Sequence, residues 1–98
     1  MNLKNRNAVV TGSTSGIGLA YARALAPAGA PVVLNGFGKP AEIAKERTSI
    51  ATEFGVKALY SPADMTKPDE IKGLIGQAAG ELGSVDILIN NAGIQFVS

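Results

Sequence analysis

Four short apolar runs, at 8–10, 31–35, 56–60 and 85–89, are separated by three stretches whose apolar residues recur at helical spacing. Short β-branched runs of this kind read as strands buried on both faces. A strand that reaches its neighbour through a helix pairs with it in parallel, by a right-handed crossover. The order strand, helix, strand, helix, strand, helix, strand therefore predicts an α/β fold. It is a doubly wound parallel sheet of four strands in the order 3-2-1-4, with helices on both faces.

Glycine and proline punctuate the pattern. The first helix puts Ile17, Tyr21, Ala24, Leu25 and Ala28 on one face, with Gly29 as its stop. Pro27 should end or kink it, because proline inside a helix removes a hydrogen bond and clashes one turn back. Tyr21 is expected in the core, and so is Tyr60 at the close of the third strand. The second helix, at 40–54, aligns Ile43, Arg47, Ile50, Ala51 and Phe54 before Gly55. Thr66 is placed to cap the third, with Pro68, Asp69 and Glu70 in its first turn. Ile71, Leu74, Ile75, Ala78, Ala79 and Leu82 form its apolar stripe, and Gly83 ends it.

The 98 residues suffice for one domain with a modest core, and no linker or low-complexity segment divides them. Apolar residues make up 46% and charged residues 17%, which argues for a globular chain and against disorder. A net charge of +1 without a basic run excludes a nucleic-acid footprint. The absence of cysteine excludes a disulfide framework and a thiolate metal site, and the absence of histidine removes the commonest general base and metal ligand. The N-terminus lacks a signal-peptide core and no apolar run approaches a membrane span, so a cytoplasmic location without membrane contact is expected.

Residues 11–18, TGSTSGIG, join the first strand to the first helix. A helix N-terminus offers backbone N–H groups and the positive end of its dipole to an anion. Glycines let the chain turn sharply and let a phosphate approach without a Cβ in the way. Ser13, Thr14 and Ser15 add hydroxyl donors. The spacing, Gly12-x3-Gly16-x-Gly18, is neither G-x-G-x-x-G nor a P-loop, because Ile17 stands where a P-loop needs lysine. Position and composition favour a dinucleotide pyrophosphate; the plainer alternative is a tight strand-to-helix turn.

TGSTSGIG resembles the T-G-x-x-x-G-[IL]-G cofactor motif of the short-chain dehydrogenase/reductases. NNAG at 90–93 resembles that family's second signature, and Asp64-Met65 its acidic-apolar pair after the third strand. The resemblance spans the chain and implies a Rossmann-type fold. Within the family, LNGFG at 34–38 and NNAGIQ at 90–95 are most similar to the bacterial D-3-hydroxybutyrate dehydrogenases. It implies that Gly12, Ser15, Gly16, Ile17 and Gly18 cradle the pyrophosphate and nearby ribose. Asp64 would bond the adenine amino group, with Met65 packed beside it, and Asn90, Ala92 and Gly93 would line the cofactor near its ribose. Asn91 is either a site residue or a tie between strands. The implied activity is oxidation of 3-hydroxybutyrate to acetoacetate by hydride transfer to NAD, in a homotetramer.

Dinucleotide folds select NAD with an acid near the end of the second strand and NADP with a basic residue there. Here the stretch is Asn35-Gly36-Phe37-Gly38-Lys39, with neither acid nor arginine. Asn35 can bond a ribose hydroxyl and Phe37 can cover the adenine. Lys39 can meet a 2′-phosphate or be an ordinary solvated lysine; NAD is the favoured cofactor and NADP the lesser alternative. The family's acid/base tyrosine needs a lysine four residues on, yet Leu25 follows Tyr21 and Asp64 follows Tyr60 at that interval. No catalytic residue is therefore assigned, and the chain reads as the N-terminal part of a single NAD(P)-binding domain whose catalytic part lies beyond residue 98. Such a piece should be inactive alone, and the apolar edge of its fourth strand should invite pairing with another chain. A stand-alone or designed nucleotide-binding module is the competing reading, and a flavodoxin-like phosphate binder ranks behind it.

Overall fold

The computed structural model describes residues 2–14 and 16–91. Strand β1 (Ala8–Val10) leads through the glycine turn into helix α1 (Gly16–Leu25), followed by β2 (Val32–Asn35), α2 (Pro40–Phe54), β3 (Ala58–Ser61), α3 (Pro68–Leu82) and β4 (Ile87–Ile89). The sheet is parallel with the order β3-β2-β1-β4, as the alternation predicts. Register follows from Val9 opposite both Val33 and Leu88, and Val33 opposite Leu59.

Side chains alternate across the strands and build two layers. Ala8, Val10, Val32 and Leu34 face α1 and α2, packing with Ala22, Ala26 and Ile50. Val9 and Val33 face the other way, onto Leu74 and Ala78 of α3. The inner strands β1 and β2 are buried on both faces. β4 lies at one edge of the sheet, and Leu88 is 57% exposed there.

Two expectations about α1 change. Its buried residues are Gly18 and Ala22, continued by Ala26, while Ile17 is 63% and Tyr21 40% exposed. The helix sits against the sheet through its smallest residues, which brings the backbones close; Leu19 and Leu25 pack at the margin of the core, and Ile17 and Tyr21 turn outward. Tyr21 is therefore not a core residue. Pro27 does end the α-helix: Ala26–Ala28 form a single 3-10 turn, closed by Gly29 at φ 99°.

The boundaries of β3 move by one or two residues, taking in Ser61. On α2, Ile43 and Ile50 are buried, while Arg47 is exposed. On α3, Leu74 and Ala78 carry the buried face and Ala79 is exposed. Thr66 does not cap α3: the N-cap is Lys67, with extended backbone and no side-chain cap bond. The Thr66 hydroxyl turns back to Asp64 instead. No helix among the described residues is long and apolar enough to cross a membrane.

Candidate functional site

β2 and β3 lie on one side of β1 and β4 on the other, so the strand order reverses between β1 and β4. Open parallel sheets bind ligands at the carboxyl ends of the strands beside such a switch point. The glycine turn follows β1 there, and Asn90-Asn91 follow β4.

The turn is tight by necessity. Gly12 and Gly16 hold left-handed φ values of 60° and 59°, a conformation that disfavours any Cβ. Gly18 is required for another reason. A Cβ there would lie 2.0 Å from the Gly12 carbonyl oxygen and 2.8 Å from Asn91 Nδ2. The start of α1 thus presses directly on the turn. The first turn of any helix leaves N–H groups without intrahelical acceptors, and in α1 these fall at Gly16, Ile17 and Gly18. Closely approachable N–H donors at the positive end of a helix suit a phosphate group. The residues present thus fit a dinucleotide. Ser15 lies outside the described residues.

Three loops are pinned around this turn. Ser13 donates its hydroxyl to Val10 O at 2.6 Å, and Thr14 donates its hydroxyl to Phe37 O at 2.9 Å. The Ser13 bond closes the glycine turn on itself and the Thr14 bond ties it to the loop after β2, so both hydroxyls, which the sequence offers as ligand donors, bond backbone carbonyls. Asn35 is only 1% exposed. Its amide donates to Ser61 O and Ala63 O at 3.1 and 3.0 Å, and its Oδ1 accepts the Gly12 N–H at 3.3 Å. Both amide hydrogens are engaged inside the protein, so this placement gives no support to a bond from Asn35 to a ribose hydroxyl. Asn35 instead ties together the loops after β1, β2 and β3.

The next residue closes the usual place for a selectivity acid. Gly36 has φ 145°, and a Cβ there would meet the Thr14 hydroxyl at 2.7 Å. Phe37 is 70% exposed beside it, available to cover a flat ring. Lys39 is exposed at the N-cap of α2 and makes no side-chain cap bond. Tyr60 is half-buried and donates its hydroxyl to Gly36 O at 2.5 Å. Burial raises its pKa, the reverse of what an acid/base tyrosine needs.

From β4, Asn91 is buried and donates to Gly12 O at 3.2 Å, while Asn90 Oδ1 lies 3.3 Å from the Thr11 hydroxyl. Asn91 is thus a tie between β4 and the glycine turn. Ala92 and Gly93 lie outside the described residues. After β3, Met65 is half-buried against the α3-side core. The Asp64 carboxylate is held below its ordinary pKa, first by the Thr66 hydroxyl and then by the Thr66 N–H. A separate cleft of about 540 Å³, lined by residues such as Pro40, Ile43, Leu59 and Pro62, runs between α2, β3 and α3. Neither the glycine turn nor the paired asparagines line it, so it is not the switch-point crevice. Among the described residues, no group of His, Cys, Asp or Glu side chains could hold a metal ion.

The parallel sheet of order β3-β2-β1-β4, with a glycine turn packed against paired asparagines, is the architecture of the Rossmann-fold short-chain dehydrogenases. Residues 6–98 match the short chain dehydrogenase family, and the chain belongs to that family. Among similar proteins, D-beta-hydroxybutyrate dehydrogenase of Rhizobium meliloti (strain 1021) is 55% identical over 92 residues, 94% of this chain and 36% of that protein. Its namesake from Cupriavidus necator is 48% identical over 98% of this chain and 36% of that protein. The structure of L-sorbose reductase from Gluconobacter frateurii, complexed with NADPH and L-sorbose, superposes with a TM-score of 0.86 at 35% identity. That match covers 95% of this chain and 35% of the reductase. The chain thus spans about a third of the length of the relatives it matches.

Proposed function

We propose that this chain is the dinucleotide-binding part of an NAD-dependent short-chain dehydrogenase that oxidises 3-hydroxybutyrate to acetoacetate. The observation that carries the reading is the glycine turn at the switch point, with Gly18 pressed against Gly12 and Asn91 bonded to the same carbonyl. The 55% and 48% identities to D-beta-hydroxybutyrate dehydrogenases support the substrate class.

In this reading Gly12, Ser15, Gly16, Ile17 and Gly18 hold the pyrophosphate, through backbone N–H groups where α1 begins. Phe37 covers the adenine, Asp64 accepts from its amino group with Met65 alongside, and Asn90, Ala92 and Gly93 line the ribose nearer the nicotinamide. Asn35 acts by holding the loops in register. The bound dinucleotide supplies hydride transfer; these residues bind and orient it. NAD is favoured over NADP because the loop after β2 carries no arginine and its lysine, Lys39, is read as an ordinary solvated residue at the N-cap of α2. Acid/base chemistry falls to residues outside this segment, since neither Tyr21 nor Tyr60 has the environment for it. A cytoplasmic enzyme assembled as a homotetramer completes the proposal.

The test is oxidation of D-3-hydroxybutyrate by the full-length enzyme, followed by NADH formation, against 3-hydroxy acids of other lengths and with NADP in place of NAD. NAD-dependent turnover that prefers 3-hydroxybutyrate is expected. Turnover only with a sugar or polyol would move the enzyme to another branch of the family.

A further inference from the structure

The loop from β3 to α3 is built around one carboxylate. Thr66 donates twice to Asp64, its N–H at 2.9 Å and its hydroxyl at 2.7 Å, and both bonds end on the same oxygen, Oδ1. The backbone on either side is fixed as well. Asp64 N–H donates to Glu70 Oε1 at 2.9 Å, Asp64 O accepts the Lys67 N–H at 3.0 Å, and Ala63 O accepts from Asn35 at 3.0 Å. Among the described residues, Asp64 Oδ2 has no hydrogen-bond partner. Thr66 is exposed, and its hydroxyl is not used to cap α3.

A carboxylate that rotates freely offers either oxygen in many directions. One whose Oδ1 is held by two donors offers a single acceptor in a set direction, and the rotational entropy is lost before the ligand arrives. We propose that Thr66 is a positioning residue for base recognition: it holds Asp64 so that Oδ2 meets the exocyclic amino group of an adenine and rejects a purine carrying a carbonyl there. The proposal rests on the reading of Asp64 as the adenine acceptor.

The test compares NAD with nicotinamide hypoxanthine dinucleotide, which differs by that amino-to-carbonyl exchange, by titration calorimetry on the full-length enzyme. The wild type should prefer NAD. Thr66→Ala should lower that preference roughly three- to tenfold, the range of a single hydrogen bond, chiefly by weakening NAD. Thr66→Ser, which keeps the hydroxyl, should restore it. Asp64→Asn keeps an acceptor for Thr66 and puts an N–H donor in place of Oδ2, so it should shift the preference toward the hypoxanthine dinucleotide. An equal loss of affinity for both dinucleotides in Thr66→Ala would reduce Thr66 to a loop-stabilising role and overturn the proposal. So would an undiminished preference in that variant while Asp64→Asn still shifts it. A wild type without preference, unmoved by Asp64→Asn, would instead overturn the adenine reading of Asp64 itself.

Discussion

Ser13 and Asn35 bond each other in both directions: Ser13 N–H donates to Asn35 O at 2.6 Å, and Asn35 N–H donates to Ser13 Oγ at 2.8 Å. Both residues are buried. The pair fastens the glycine turn after β1 to the end of β2, and the Asn35 side chain carries the tie on to the loop after β3. The crevice is thus shaped by a polar network in which most members serve the backbone.

Replacing Asn35 by aspartate tests that network. Asn35→Asp removes both amide donors and sets a carboxylate against the Ser61 and Ala63 carbonyls. Two buried acceptors left without partners should cost roughly 2–6 kcal/mol of stability. Urea unfolding of the two proteins measures it. A loss within experimental error, with tighter NAD binding, would mean that the side chain at 35 turns to the ribose.

Gly18→Ala should be far more damaging than its one methyl suggests. The added carbon would sit 2.0 Å from Gly12 O and 2.7 Å from Gly12 C, both backbone atoms. Either α1 or the glycine turn must shift, and dinucleotide affinity should fall by roughly tenfold or more, about 1.4 kcal/mol or above. Gly16→Ala meets no atom within 4 Å, but its φ of +59° is left-handed. It should cost about 1–2 kcal/mol in stability through backbone strain. Titration with NAD and thermal melting of both variants separate the two effects.

The same helix shows where the sequence was hard to read. The strands and their order are legible, because short β-branched runs alternate with helical spacing and few folds accept that order. The buried face of α1 is not, because Gly18, Ala22 and Ala26 carry little hydrophobic signal while Ile17 and Tyr21 carry much. Close approach between backbones selects small residues, and a pattern scored on apolar size points to the wrong side. Local polar ties are equally hidden. Thr66 reads as a helix cap by position, and only the fold shows its hydroxyl on Asp64; Asn35 reads as a ribose ligand until its amide is found on two carbonyls.

Ile17 separates binding from folding. It is 63% exposed at the start of α1, so Ile17→Ser should leave stability within about 0.5 kcal/mol of wild type. Dinucleotide affinity should nonetheless fall, since the exposed side chain flanks the proposed pyrophosphate cradle. Unchanged affinity in calorimetry would remove Ile17 from the site.

Asp86 predicts a pH dependence. Its carboxylate accepts the Asn7 N–H and the Ser84 hydroxyl, and these bonds hold its pKa below the ordinary value. A carboxylate whose folded pKa is lowered stabilises the fold above its unfolded pKa and loses that contribution as pH falls through the folded one. The link between the start of β1 and the entry to β4 should therefore be intact at neutral pH and weaken in acid, below the ordinary aspartate range. Asp86→Asn should flatten that part of the stability profile. An identical acid dependence in both proteins would show that other carboxylates dominate.

The most direct test of the account is calorimetric titration of the protein with NAD and with NADP at neutral pH. Saturable binding of NAD, weaker binding of NADP, and a fall of roughly tenfold or more for both in a folded Gly18→Ala variant are the predicted results. Absence of binding by either dinucleotide to the folded wild type would contradict the reading of the glycine turn as a pyrophosphate cradle.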